Sequence, residues 1–108
     1  LIAKPQVSVP TAAAYARTTP SIPDESISSI LTSAAQEWQG RLKNDFEASV
    51  FPVYPAIAEL KHRIMALSPV YAAMSGSGAS VFGLFAGDKL SPDAQGLFSD
   101  CDTLVATL

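Results

Sequence analysis

Between two strongly apolar runs the chain carries Met74-Ser75-Gly76-Ser77-Gly78-Ala79-Ser80. A glycine pair set among small hydroxylated residues lets successive main-chain N–H groups turn toward one anion with no Cβ in the way. Ser75, Ser77 and Ser80 add hydroxyl donors, so Ser75, Gly76, Ser77, Gly78, Ala79 and Ser80 together have the chemistry of a loop that cradles phosphate or another anion. The loop is not of the Walker type, which requires Lys and Ser/Thr directly after the last glycine; Ala79 and Ser80 stand there instead. Taken alone, Gly76-Ser77-Gly78 reads as a tight hairpin turn.

Nothing else in the chain assembles a catalytic constellation. Its hydroxyl groups have no histidine close by, and Asp45 and Glu47 fall where a helix is expected to begin, so Asn44-Asp45-Phe46-Glu47 reads as a cap. Cys101 and His62 are the only residues of their types, which excludes an internal disulfide and a structural zinc site, and no metal ligand set is assigned. The net charge of −3 removes the electrostatic footprint of a nucleic-acid or anionic-membrane partner, and neither is expected. At 108 residues, 48% of them hydrophobic and 16% charged, the chain reads as one globular domain over 1–108. No run approaches the roughly 18 apolar residues of a membrane span. Leu1-Ile2-Ala3 lacks an initiator methionine and the basic flank of a signal peptide, so the chain reads as cut from something longer.

The elements that must position the loop follow from periodicity. Leu1-Ile2-Ala3 ends an apolar strand that Lys4-Pro5 stops. Thr11 is the candidate N-cap of a helical run from Ala12 to Ala16 that Thr18-Thr19-Pro20 ends. Ile27, Ile30, Leu31, Ala34, Trp38 and Leu42 recur at spacings of three and four, which predicts the longest helix, starting at Asp24 and running about four turns. Asn44-Asp45 breaks it and caps a short run from Phe46 to Val50. Pro55 then opens a helix whose stripe is Ile57, Leu60, Ile64 and Leu67, leaving His62 on a solvated face. Val70–Met74 and Ala79–Phe85 are apolar at nearly every position, which predicts central paired strands covered on both faces. Ser91-Pro92-Asp93 starts a last short helix, and Thr103–Thr107 reads as the closing strand. The order is that of an α+β fold, a ferredoxin-like antiparallel sheet with extra helices in the first crossover.

Several of these segments, in register, resemble one family. Lys4-Pro5, Val7-Ser8-Val9-Pro10-Thr11, Tyr15, Asn44-Asp45-Phe46-Glu47, Tyr54 to Lys61 and Met74 to Gly78 are similar in order and type to the C-terminal half of the GHMP kinases. The branch resembled is the one acting on 4-diphosphocytidyl-2-C-methyl-D-erythritol in non-mevalonate isoprenoid synthesis. The resemblance runs from about Leu1 to Phe85 and implies a cytoplasmic enzyme that transfers the γ-phosphate of ATP, with Mg2+, to the 2-hydroxyl of that substrate. It implies that an N-terminal domain outside this chain supplies the ATP loop and the base, so that no catalytic residue lies here and this chain alone binds no cofactor and transfers no phosphate. It assigns Thr11 and Tyr15 to the cytidyl diphosphate substrate, and Ser75 to Ser80 to the phosphate side of the cleft. Ala79 departs from the hydroxylated residue common at its place, so only its backbone carries over, with Ser80 as a substitute donor. On the residues alone, Thr11 as a plain cap and Tyr15 as a packing ring remain open. So do two other functions: another GHMP kinase, and a free-standing ferredoxin-like binding or regulatory module.

Overall fold

The computed structural model describes residues 1–19, 22–87 and 89–107. Strand β1 (Ile2–Pro5) leads into helices α1 (Thr11–Ala16), α2 (Ile27–Leu31), α3 (Phe46–Val50) and α4 (Pro55–Met65), then strands β2 (Tyr71–Met74), β3 (Val81–Leu84) and β4 (Cys101–Leu104). Short 3-10 turns at Ala35–Glu37 and Ala94–Phe98 complete the order. The four strands form one antiparallel sheet in the order β2-β3-β1-β4, which is the ferredoxin-like plan the sequence implies.

One face of the sheet is packed by α4. Its stripe of Ile57, Leu60 and Ile64 is buried against Ala3, Ala72, Met74 and Val81, and Pro55 at the first helical turn starts it without wasting a donor. The approach is closest at Gly83, where an added Cβ would lie 2.7 Å from Ile64 Cγ2. At the β2 end the opposite face is covered by aromatic side chains: Trp38 meets Tyr71 edge-on at 6.0 Å, and Tyr71 leans on Phe82 at 5.9 Å.

Several expectations need correction. The helix predicted from Asp24 to Leu42 is broken. Ser26 caps α2 by accepting from Ser29 N–H, and the helix ends after Leu31, where the Thr32 and Ser33 hydroxyls bond back to Ser29 and Ile30 carbonyls and Ala34 is extended. The longest helix is α4. Secondly, β2 is an edge strand and not a central one, although all of its side chains are buried. Thirdly, Thr11 is the first helical residue and not the cap; Pro10 holds the cap position, and α1 ends at Ala16, ahead of Pro20, which lies outside the described residues. Lastly, β4 starts at Cys101, pulled forward by pairing with Pro5, and the last helix, expected from Ser91-Pro92-Asp93, is a 3-10 turn over Ala94–Phe98. His62 is exposed, as expected, while Lys61 and Arg63 beside it are half-buried and ion-paired to Glu47 and Asp100.

Gly83→Ala tests the packing of α4 on the sheet. The methyl must displace a branched side chain that is itself fully buried, and overpacking of this kind costs roughly 1–3 kcal/mol. Gly96, with open space around it, is the control, and Gly96→Ala is expected to stay within about 0.5 kcal/mol in the same urea denaturation series.

Candidate functional site

The glycine loop closes the β2–β3 hairpin. Ser75 N–H donates to Ser80 C=O at 2.8 Å and Gly78 N–H to Ser75 C=O at 3.0 Å. Gly76 and Gly78 have φ of +55° and +95°, a region that side chains disfavour, and a Cβ on Gly78 would lie 3.0 Å from Met74 Sδ. The N–H groups of Gly76, Ser77, Ala79 and Ser80 donate to no acceptor among the described residues. Ser75 and Gly76 are exposed and Ser77, Gly78 and Ser80 half-buried, so most of this loop meets solvent with donors in hand.

What holds the loop is the edge of β2. Leu1 and Gly83 exchange backbone hydrogen bonds, so Gly83 has nothing left for Ala72 opposite it, and Ala72 and Met74 turn their polar groups away from the sheet. Side chains replace the missing strand. Gln39 accepts from Ala72 N–H at 2.9 Å and donates to Ala72 C=O at 3.2 Å, a backbone-like pair. Glu47 Oε2 accepts from Met74 N–H at 2.9 Å while its Oε1 meets Lys61 Nζ at 2.6 Å. Asn44 Nδ2 donates to Met74 C=O at 2.8 Å and to Gly76 C=O at 2.7 Å, and its Oδ1 accepts from Phe46 N–H at 3.0 Å in a turn that leads into α3, whose cap position, Asp45, makes no side-chain cap bond. Asn44-Asp45-Phe46-Glu47, expected as a cap, is therefore a turn into α3 and a clamp on the loop.

Tyr15 is 65% exposed and stands edge-on to Phe46 at 4.9 Å and 83°. Thr11, one turn earlier, is exposed, and its hydroxyl has no hydrogen-bond partner among the described residues, so no cap consumes it. Val9, just ahead of this helix, lies 3.5 Å from where a Gly78 Cβ would be. The two candidate groups are thus joined on both sides, through Val9 and through the Tyr15–Phe46–Asn44 series. A cleft of about 430 Å³ opens next to them, lined by Arg17, Lys43, Asn44, Glu47, Lys61 and Tyr71 among others, and includes neither Thr11 and Tyr15 nor the loop itself. Burial, and secondarily the Glu47 charge, pushes the Tyr71 hydroxyl up from its ordinary range, and it donates to Leu42 C=O at 2.7 Å.

Residues 21–96 match the family described as GHMP kinases C terminal. The chain belongs to that family. The chain is 46% identical over 100 residues to the 4-diphosphocytidyl-2-C-methyl-D-erythritol kinase of Parabacteroides distasonis, covering 93% of this chain and 36% of the relative. It is 45% identical over 89 residues to the kinase of the same name from Bacteroides fragilis, covering 82% and 32%. A crystal structure of 4-(cytidine 5'-diphospho)-2C-methyl-D-erythritol kinase superposes with a TM-score of 0.68 at 30% identity, over 92% of this chain and 36% of that one. The chain spans about a third of the length of the relatives it matches.

In this GHMP kinase C-terminal domain the sequence pointed to the loop and to the Thr11/Tyr15 face, and it missed Gln39 and the clamping roles of Asn44 and Glu47. The missed signal was the edge position of β2: an apolar strand with no neighbour on one side needs donors and acceptors from elsewhere, and Gln39, Asn44 and Glu47 are the ones within reach.

Both loop glycines should resist a side chain. Gly76→Ala adds a strained φ, costing about 1 kcal/mol, whereas Gly78→Ala adds the same strain and the contact with Met74. The melting temperature is expected to fall for both and further for Gly78→Ala; equal melting temperatures for the two variants and the parent would show that the turn tolerates side chains.

Proposed function

We propose that this chain is the C-terminal, substrate-side domain of a cytoplasmic kinase that transfers the γ-phosphate of ATP to the 2-hydroxyl of 4-diphosphocytidyl-2-C-methyl-D-erythritol. The observation that carries the reading is a clamped glycine loop with four unengaged N–H donors beside a helix face that presents an exposed ring. The names borne by relatives at 45% identity favour this substrate over that of another GHMP kinase.

In this reading Ser75, Gly76, Ser77, Gly78, Ala79 and Ser80 offer backbone donors, with the serine hydroxyls, to the phosphate side of the cleft. Phosphoryl transfer depends mostly on positioning and on neutralising developing charge, so donors fixed in place before substrate arrives do most of what a domain without a base can do. Thr11 supplies a free hydroxyl for the diphosphate or sugar, and Tyr15 a ring for the cytosine. Phe46 meets Tyr15 edge-on, which leaves a ring face for a base to stack on. In this reading Mg2+ and the general base are supplied by an N-terminal domain, the part of the relatives that this chain does not span. No described helix is long and apolar enough to cross a membrane.

Two outcomes test the proposal. The domain alone, incubated with ATP, Mg2+ and the diphosphocytidyl substrate, is expected to turn over no ATP above a heat-treated control, and restoring the N-terminal domain is expected to give turnover that depends on that substrate. In the complete enzyme, Tyr15→Ala is expected to raise the KM for the cytidyl substrate about tenfold or more and leave the KM for ATP alone, since stacking of a base on an aromatic ring is worth about 1–3 kcal/mol. Tyr15→Phe is expected to be nearly silent. An unchanged substrate KM in a normally folded Tyr15→Ala enzyme would remove the ring from the site.

A further inference from the structure

The geometry points to Asn44 as the positioning residue of the glycine loop: its amide group sets the loop's shape, and through it the rate of phosphoryl transfer, without touching substrate. Asn44 Nδ2 donates to Met74 C=O and to Gly76 C=O, the carbonyls on either side of Ser75, at 2.8 and 2.7 Å. Both protons of one amide nitrogen are thereby spent on the first turn of the loop. The peptide plane that carries Gly76 C=O also carries Ser77 N–H, one of the donors left unengaged, so a bond to that oxygen fixes the direction of that N–H. The carbonyl of Met74 likewise fixes the plane of Ser75 N–H, which closes the turn on Ser80 at 2.8 Å.

The loop cannot hold this shape from its own composition. Gly76 is exposed, has open space around its Cα and sits at a φ that glycine adopts as one of many, so its freedom must be removed from outside. Asn44 is itself fixed, since its Oδ1 accepts from Phe46 N–H, and Phe46 packs against the core and against Tyr15. One side chain therefore ties the phosphate-side donors to α3, whose Phe46 packs against the Tyr15 ring. The inference rests on the proposed kinase reading for its effect on rate, and on the hydrogen bonds alone for its effect on the loop.

Asn44→Asp separates the two roles of the side chain. The carboxylate keeps the acceptor for Phe46 N–H and the shape, but it replaces the amide donor with a charged oxygen facing two carbonyls. In the complete enzyme the variant is expected to keep the peptide over α3 protected in hydrogen exchange, while exchange of the Ser75 and Gly78 N–H groups, the two hydrogen-bonded amides over 75–80, speeds up about tenfold or more. In the same protein kcat is expected to fall on the order of ten- to hundredfold, with the KM for ATP changed less than about threefold. Asn44→Ser, which can still accept from Phe46 N–H but reaches neither carbonyl, serves if the aspartate disturbs folding, and is expected to show the same split. Unaltered exchange over 75–80 in a folded variant would overturn the clamp. Faster exchange with kcat unchanged would overturn the positioning role. Absence of activity on the cytidyl substrate in the parent enzyme would overturn the proposed function instead, and the exchange measurement would still decide the clamp.

Discussion

An edge strand has a row of backbone groups that nothing in its own sheet can satisfy, and in this domain that row belongs to β2. Each of its buried side chains pulls the strand inward while Ala72 and Met74 face outward with unpaired N–H and C=O. A buried, unsatisfied backbone group costs on the order of 1–3 kcal/mol, so leaving this row open would cancel much of what its apolar side chains contribute. Gln39, Asn44 and Glu47 supply the missing partners, and this requirement accounts for why the chain between α2 and α3 runs in irregular turns along the strand and not as a continuous helix. The same solution blocks the edge against pairing with another chain.

The partners differ in strength. Gln39 offers a neutral amide that imitates a peptide group. Glu47 is half-buried and would be costly as a lone charge; Lys61, reaching across from α4, neutralises it at 2.6 Å. Lys61 also lies 5.8 Å from the Phe51 ring, so the ammonium is held between a carboxylate and an aromatic face. Helix α4 thus contributes to the sheet twice, by its apolar stripe on the face and by one cation at the edge. By contrast the pairs on the surface, Arg63 with Asp100 and Arg41 with Glu25, tie segments together at solvent; hydrogen bonds to the guanidinium hold the Asp100 and Glu25 carboxyls below their usual range.

Much of the fold was legible because its signals are local. The stripe of α4, the proline at its start, the apolar strands and the glycines at the hairpin each report on a few neighbouring residues, and each was found in place. The failures came where a distant partner decided the outcome. Ile27 to Leu42 has helical spacing, yet Trp38 is drawn to Tyr71 and Gln39 to Ala72, contacts that a continuous helix ending in solvent would forgo. Thr11 looked like a cap because threonine often is one, but Pro10 already holds the extended geometry that entry to the helix requires. The candidate site divides in the same way: the glycine loop is visible from its composition, whereas Asn44 looks like any helix-starting asparagine until the carbonyls of Met74 and Gly76 are brought to it.

The sheet order also bears on how the domain comes into being. Strand β1 lies between β3 and β4, and its pairing of Ile2 with Leu104 joins the two ends of the chain. The hairpin of β2 and β3 can form from residues close in sequence, whereas the central pair, β1 with β3, must bring Ala3 to Val81. Closing so long a loop is entropically slow, and topologies rich in such contacts fold slowly. Within this domain β1 is made before the strands it pairs with and stays unpaired until β3 follows it, so β1 is the strand most exposed to mispairing and to chaperone capture.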